Sequence, residues 1–501
     1  MSIRRTYSLL PLMAVMLATL WGCDDKHPEY EGAIYSFEEF AFYPDSAFDN
    51  KFQIRCYDDG YELTEGDRLV EKPKKSLQPD ALSMEGSDRL INLLFNGDME
   101  STGATAIDDE STLPYRLYVY DVLCNPDAAM EELLQWLGMD KSNTDKPYQW
   151  PIMAASVDWA LPAREIYFAT GDYGWRNSNA ADLMAILRRE RYLTFDPDMN
   201  LFRGATRTAV NFRCDSLMNV ADVASIYCFS VNADRVTAYD YISLKTDLAA
   251  ELRDSLAVAL ETYMWNPRRS SFSEMLYQWP YPIQLDAVDN LAQAAAVLAG
   301  SVSEAAAERL ILNSPVGSMQ IYPFYPLSAQ SIPSQERIDL TTALWAAAAA
   351  KVRNAKAFNR AYSLLARRCI SDSSVVNLFR GATLRSLFGI RLAEDYLGFA
   401  PFVPQEFGDN HCLKNFRYRD ATLDITISGY GDVISTVMLD DELVEEASIP
   451  STIRGHHMLK IALSGFSRTP DGVRVAEPVT LPYTYKATLF ADDLHTLWLG
   501  K

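Results

Sequence analysis

From about Pro126 to about Gly389 the sequence repeats one pattern. Ala-rich runs with apolar residues three and four apart are cut, again and again, by turn signals. VDWALPAREIYFATGD, AADLMAILRRERYL, LAAELRDSLAVALETYMW, DAVDNLAQAAAVLAG and TTALWAAAAAKVRNAKAFNRAYSLLARRC carry it, with breaks at Gly171-Asp172, Asp196-Pro197, Asn266-Pro267 and Gly300. That spacing predicts amphipathic helices, and the short breaks predict antiparallel helix pairs. The period then falls to two. Leu423, Ile425 and Ile427 alternate with polar residues, as do Leu459, Ile461 and Leu463, while Gly429, Gly431 and Gly455 supply turns. A mainly α chain closed by a C-terminal antiparallel β-sandwich is the expected architecture. Residues 24–75 are acidic, turn-rich and weakly periodic, and read as an extended segment partly packed on the rest of the chain.

The formal net charge is −21, from 46 Lys+Arg against 67 Asp+Glu. Binding a phosphate backbone relies on basic residues that displace counterions, so nucleic acid is not an expected partner. At the N-terminus, Arg4 and Arg5 precede the apolar run SLLPLMAVMLATL, which is short for a membrane span and reads as a signal peptide over residues 1–22. Leu20-Trp21-Gly22-Cys23 resembles the lipobox of bacterial lipoproteins, and the adjacent Asp24-Asp25 resembles the surface-export signal of Bacteroidetes lipoproteins. The resemblance implies that Cys23 is lipidated and anchors the protein to the outer membrane, on its periplasmic or cell-surface side. The other cysteines, Cys56, Cys124, Cys214, Cys228, Cys369 and Cys412, are far apart in the chain and form no CxxC or Cys/His cluster. Most are expected to be buried free thiols, with no metal site or redox motif.

The stretch SLFGIRLAEDYLGFAPFVPQEF, followed by LKNFRYRDATLDITISGYGD, is similar to the join between helical barrel and C-terminal sandwich in six-hairpin glycosidases. WPIMAASVDWALPAREIYFATGDYGW is similar to an early hairpin of those families. The resemblance implies an (α/α)6 toroid over residues 111–396, preceded by the segment 23–110 and followed by a sandwich over 397–501. It also implies a carbohydrate substrate and no cofactor. Within this frame the heptapeptide NLFRGAT occurs twice, at Asn200–Thr206 and Asn377–Thr383. The first copy follows the turn-rich DPDMN; the second continues into LRSLFGI with helical spacing at Val376, Phe379, Leu384, Leu387 and Phe388. Two structures for one string are expected, not a repeat.

Five histidines occur in the chain, and none lies between His27 and His411. Imidazole chemistry is therefore excluded from the helical region, leaving carboxylates for acid and base work. Paired carboxylates, one neutral and one ionised, are the equipment of glycosidic-bond hydrolysis. Asp158, ahead of Trp159 at the start of a hairpin helix, and Glu336, in PSQERIDL ahead of the Ala-rich helix, are the candidate catalytic pair. Glu165, Asp172, Asp196, Asp198, Asp286 and Asp289 are further acids near hairpin ends, with Asp172 and Asp196 reading first as caps or turn formers. Trp150, Trp159, Trp279 and Arg203 are candidate substrate contacts, through ring stacking and a guanidinium fork. Ala155-Ser156, IPSQERID and Asn211-Phe212 depart from the pattern of related toroid enzymes. The alternatives are therefore a hydrolase of polysaccharide fragments, a catalytically inactive glycan-binding or scaffold lipoprotein of the same fold, and a polysaccharide lyase, for which no motif singles out the required Tyr and Arg.

Overall fold

A computed structural model describes residues 30–73, 80–97, 112–140, 154–204, 225–244, 247–278, 282–328, 332–467 and 480–481. Cys23, Trp150 and Trp279 lie outside the described residues. The chain first forms a six-stranded antiparallel meander: β1 (Tyr35–Phe37), β2 (Phe40–Phe42), β3 (Ser46–Phe48), β4 (Phe52–Cys56), β5 (Gly60–Glu65) and β6 (Arg68–Pro73), paired in that order. This is a sheet where the sequence reading expected an extended segment. The physical cause is visible in FQIRC, whose Phe52, Ile54 and Cys56 are buried while Gln53 and Arg55 face out, and in the tight turn at Gly66-Asp67. Tyr35 Oη donates to Ser318 O at 2.8 Å, and Asp49 pairs with Arg367, so the sheet is tied to the helical part.

After β7 (Ser83–Gly86), the described helices are α1 (Arg89–Asn96), α2 (Leu113–Cys124), α3 (Pro126–Asp140), α4 (Ala160–Thr170), α5 (Tyr173–Leu193), α6 (Phe229–Ser243), α7 (Asp247–Met264), α8 (Asn290–Ala299), α9 (Glu304–Asn313), α10 (Gln335–Lys351), α11 (Ala355–Ser371) and α12 (Val376–Ser386). The even-numbered helices touch in cyclic order: α2 packs on α4, α4 on α6, α6 on α8, α8 on α10, α10 on α12, and α12 returns to α2. The odd-numbered α3, α5, α7 and α11 each pack on the ring helix beside them in sequence, and α1 covers α11 and α12. Small residues set this ring. Every residue of α10 from Ile338 to Ala350 is buried, and its alanines let neighbouring backbones approach.

The second NLFRGAT lies inside α12, where a Cβ on Gly381 would sit 2.5 Å from Val119 O. That carbonyl belongs to Leu117–Asp121, the π-wound middle of α2, whose loosened backbone turns oxygens toward α12; Arg385 Nε donates to Tyr118 O at 3.0 Å and Val119 O at 3.2 Å. The first copy begins in a short hairpin that pairs Phe195–Asp196 with Leu201–Phe202, with Asn200 at φ 51° and Gly204 at φ 120°. One glycine is needed for space and the other for a backbone angle.

The C-terminal region holds β8 (Asn410–Tyr418), β9 (Ala421–Ser428), β10 (Ile434–Leu439), β11 (Glu442–Val444) and β12 (Gly455–Leu463) in a sheet of order β11-β10-β12-β9-β8-β7. The alternating residues Leu423, Ile425, Ile427, Leu459 and Ile461 are buried. The all-antiparallel expectation needs correction: β9 and β12 run parallel, joined by the long excursion through β10 and β11, and the edge strand β7 comes from before the helices. Alternation fixes which face is buried but not strand direction. Ile390–Leu392 and Tyr396–Phe399, which follow α12, pair with Ser448–Pro450 from between β11 and β12 in a separate three-stranded sheet. The described cysteines Cys56, Cys124, Cys228, Cys369 and Cys412 are free; burial pushes Cys56 and Cys124 up to about 12 and Cys228 up to about 11.

Where β7 and α1 meet the C-terminal sheet, Asp88 and His411 are fully buried, with Oδ2 of one 3.8 Å from Nδ1 of the other. Asp88 Oδ1 accepts from Gly408 N at 2.7 Å. Burial raises Asp88 to about 7 against that bond, with Asp45 and Asp409 adding to the rise, and burial lowers His411 to about 4. Between about pH 4 and pH 7 the folded chain holds a proton on Asp88 that the unfolded chain has released, so this group's contribution to stability falls as pH rises. His411 acts oppositely, because below its unfolded value near 6.5 the unfolded chain is the better proton acceptor. Asp88→Asn removes the falling contribution and leaves the rising one. Urea unfolding between pH 4.5 and 6.5 is expected to show the variant gaining on the wild type by up to about 1.4 kcal/mol per pH unit; parallel stability curves would contradict the assignment.

Candidate active site

Helix α6 is enclosed on nearly all sides: Phe229, Ser230, Val231, Asn232, Ala233 and Arg235 through Tyr239 are all buried. A charge on such a helix requires a partner or a use. Arg235, 1% exposed, donates to Val231 O at 2.7 Å, to Ala155 O at 3.2 Å and to Glu190 of α5. Glu190 in turn accepts from Ala155 N at 2.7 Å. The ion pair therefore grips the peptide groups of Ala155 from both sides, fixing the loop that leads to Asp158 and α4.

At the end of that loop Asp158 Oδ1 accepts from Ser156 Oγ and from Trp159 N, the latter at 3.0 Å. One turn into α6, Asp234 accepts from Tyr115 Oη of α2 at 3.4 Å. Burial holds the Asp234 carboxyl well above the usual carboxylate range, the negative charges of Asp158 and Asp289 push it further, and Arg235 and the Tyr115 bond oppose the rise. Tyr115 is likewise raised, by burial first and then by Asp234, Asp158 and Asp289. Asp289, the N-cap of α8, accepts from Ala292 N at 2.9 Å. Glu336, in the first turn of α10, accepts from Thr112 Oγ1 at the start of α2, at 3.5 Å.

The ring helices are parallel to one another, so their N-termini share one end, and Tyr115, Asp158, Asp234, Asp289 and Glu336 all belong to it. Asp158 and Glu336 were the acids expected from sequence. Asp234 was not singled out, because no spacing marks it; the available signal was an Asp-Arg pair inside an otherwise apolar helix. The arrangement combines a buried carboxyl held above the usual carboxylate range with a second carboxyl that accepts two hydrogen bonds, beside a phenol, and such a set suits acid and base work.

The remaining candidates are placed differently. Trp159 is buried and its Nε1 donates to Ser156 O at 3.1 Å, so the indole braces the loop from within the core. Trp175 donates to Ala163 O at 2.9 Å and packs likewise. Arg203 bonds Asp196 at 2.6 Å, and Asp196 also accepts from Tyr227 Oη and from the amides of Asp198 and Met199, closing the turn ahead of the first NLFRGAT. Asp172 caps α5 through Gly174 N and Trp175 N, and Asp286 pairs with Arg269 at 2.6 Å. Glu165 lies further along α4, paired with Arg385 at 3.3 Å.

No family model matches the chain, and no curated protein matches it. Among solved structures, a sialidase is similar over 69% of this chain and 38% of its own, at 13% identity and a TM-score of 0.49. A GH78 family rhamnosidase of Bacillus sp. GL1 is similar over 84% of this chain and 47% of its own, at 12% identity and a TM-score of 0.40. An unsaturated glucuronyl hydrolase specific for heparin is similar over 59% of this chain and 94% of its own, at 11% identity and a TM-score of 0.36. The chain thus spans less than half the length of the first two. All three neighbours are glycoside hydrolases at low identity.

The clamp on Ala155 gives a direct test of how the site is held. Glu190→Ala leaves the buried Arg235 guanidinium without its counter-charge, and is expected to cost about 3–5 kcal/mol in urea unfolding. A cost below about 1 kcal/mol would show that the pair does not hold the loop.

Proposed function

We propose that the cyclic helices form an (α/α)6 toroid of the six-hairpin glycosidase type, and that its acidic end binds carbohydrate and hydrolyses a glycosidic bond. The observation that carries this reading is the raised Asp234 carboxyl beside the hydrogen-bonded Asp158. In this reading Asp234 donates a proton to the leaving sugar oxygen, and Asp158, as carboxylate, serves as base or nucleophile on the other side of the bond. Tyr115, which donates to Asp234, stabilises the carboxylate left once that proton has been given up, and Glu336 at the rim contacts sugar hydroxyls with Thr112. The absence of histidine from this region agrees with carboxylate chemistry and needs no cofactor. We further propose that Cys23 carries the lipid that anchors the protein to the outer membrane, on the motif LWGC and the preceding apolar run.

Screening the wild type on plant and host glycans, by binding and by release of reducing sugar together, tests the activity. Asp234→Asn is expected to lower kcat by about 10²–10⁴-fold while leaving glycan binding and unfolding temperature nearly unchanged. Binding without release in the wild type would favour a scaffold that recognises glycans. Neither signal on a broad panel would remove the carbohydrate reading.

For the anchor, the measurement is fractionation of cells that express the Cys23→Ser protein. The variant is expected in the soluble fraction. Its retention in the membrane would place the anchor elsewhere.

A further inference from the structure

The opposite end of the ring has the opposite charge. A cavity of about 250 Å³ opens there among the last turns of α8, α10 and α12 and the start of the strand Ile390–Leu392, lined by Tyr118, Arg164, Glu165, Lys351, Arg385 and Arg391 together with small apolar residues. Four cations face one carboxylate. In a chain with a net charge of −21, this concentration of positive charge is local and calls for a cause.

Part of it is structural. Lys351 Nζ donates to Val297 O at 2.8 Å and Leu298 O at 2.9 Å, capping the end of α8. Arg385 lies 3.8 Å over the Tyr118 ring and bonds Glu165, and Arg164 bonds Asp240 at 2.6 Å outside the cavity. Two features are left over. Arg164, nine-tenths buried, has an Nε with no hydrogen-bond partner. Arg391 forms no ion pair with a described residue, although it stands at the mouth of the cavity and is exposed. Burial and the neighbouring cations Arg391 and Arg164 lower Lys351 to about 8. Cations crowded in a recess yet open to solvent are stabilised by an anion placed among them.

We propose that this recess is a second ligand site, distinct from the acidic end, that binds a small molecule through an oxyanion group: a carboxylate, sulfate or phosphate. The volume lies below the roughly 300–1,000 Å³ of sites for drug-sized ligands, so it suits one small acid and not a chain of sugars. Arg391 supplies a free guanidinium fork for the anion, Lys351 and Arg164 supply further N–H groups, and the Tyr118 ring with Ala347 and Ala350 forms the wall.

Thermal unfolding with increasing sodium glucuronate, sodium sulfate or sodium phosphate tests this, with glucose and with sodium chloride at matched ionic strength as controls. At least one oxyanion is expected to raise the unfolding temperature saturably above both controls. Arg391→Gln, whose side chain holds nothing else in place, is expected to weaken that apparent affinity about tenfold. Asp234→Asn is expected to leave it unchanged, which separates this site from the acidic end. A response to glucuronate alone identifies a sugar acid, and a response to sulfate or phosphate alone an inorganic or esterified anion. The proposal is overturned if no oxyanion exceeds the chloride control, if Arg391→Gln responds as the wild type does, or if Asp234→Asn abolishes the shift.

Discussion

A helix buried around nearly its whole circumference has almost no face on which to discard a polar side chain, and α6, α8 and α10 of the ring are such helices. On α6 most buried polar residues therefore have a partner, the Tyr241 hydroxyl being an exception among the described residues. Asn232 bonds the backbone of Phe202 and Cys228, Arg235 grips Ala155 and Glu190, and Thr237 bonds Ser301 Oγ at 2.8 Å. The same holds on α8, where Asn290 and Gln293 bond loop backbone, and on α10, where Asp339 is held by Arg368 and Gln335. Several of these bonds are made to the loops beside the ring helices, so satisfying the core also helps to shape the ends of the ring.

The polarity of the ring comes from its connectivity. Alternation of ring and outer helices makes all the ring helices run the same way, which gathers every N-terminus at one end and every C-terminus at the other. Ordinarily N-termini favour acids and C-termini favour bases, and this protein obeys the rule, with Asp289 as an N-cap, Glu336 in a first turn, and Lys351 and Arg385 in last turns. Dipole preference accounts for caps at the rim. It does not account for Asp234, which is a turn inside α6 and held by a phenol, nor for Arg391, which lies beyond α12 and holds nothing. Those two residues are where the ring departs from what helix ends alone require.

Much of the helical part was legible because the apolar period and its breaks are local properties: the run ahead of Gly171-Asp172 ends there as α4, and the cap Asp172 starts α5. The alternation of Leu423, Ile425 and Ile427 gave a strand for the same reason. The meander over 35–73 was read only as an extended segment: FQIRC carries an in-out pattern, but the strands are short and their acidic outward residues dilute the period. The parallel pairing of β9 with β12 was not legible, since direction depends on the path of the intervening chain. The site was half legible. Asp158 and Glu336 stand at helix starts, where sequence gives them a position, whereas the Asp234 carboxyl is raised by burial among other helices and by the charge of Asp158, which no local pattern announces.

The heptapeptide shows the same division at its sharpest. Both copies offer Leu and Phe to a core, and both are buried: Leu201 and Phe202 in one, Leu378 and Phe379 in the other. Hydrophobicity is therefore satisfied equally by hairpin and helix. The decision comes from the groups that each backbone meets. Ahead of the first copy, Asp196 closes a turn and Asn232 offers both a donor and an acceptor to the Phe202 peptide group, replacing the bonds a helix would have supplied. Around the second copy, the Val119 carbonyl leaves room for a glycine inside a helix, and the Arg385 side chain, one turn on, satisfies the oxygens that the π-wound segment releases. Seven residues set what can be buried, and the partners set the conformation in which it is buried.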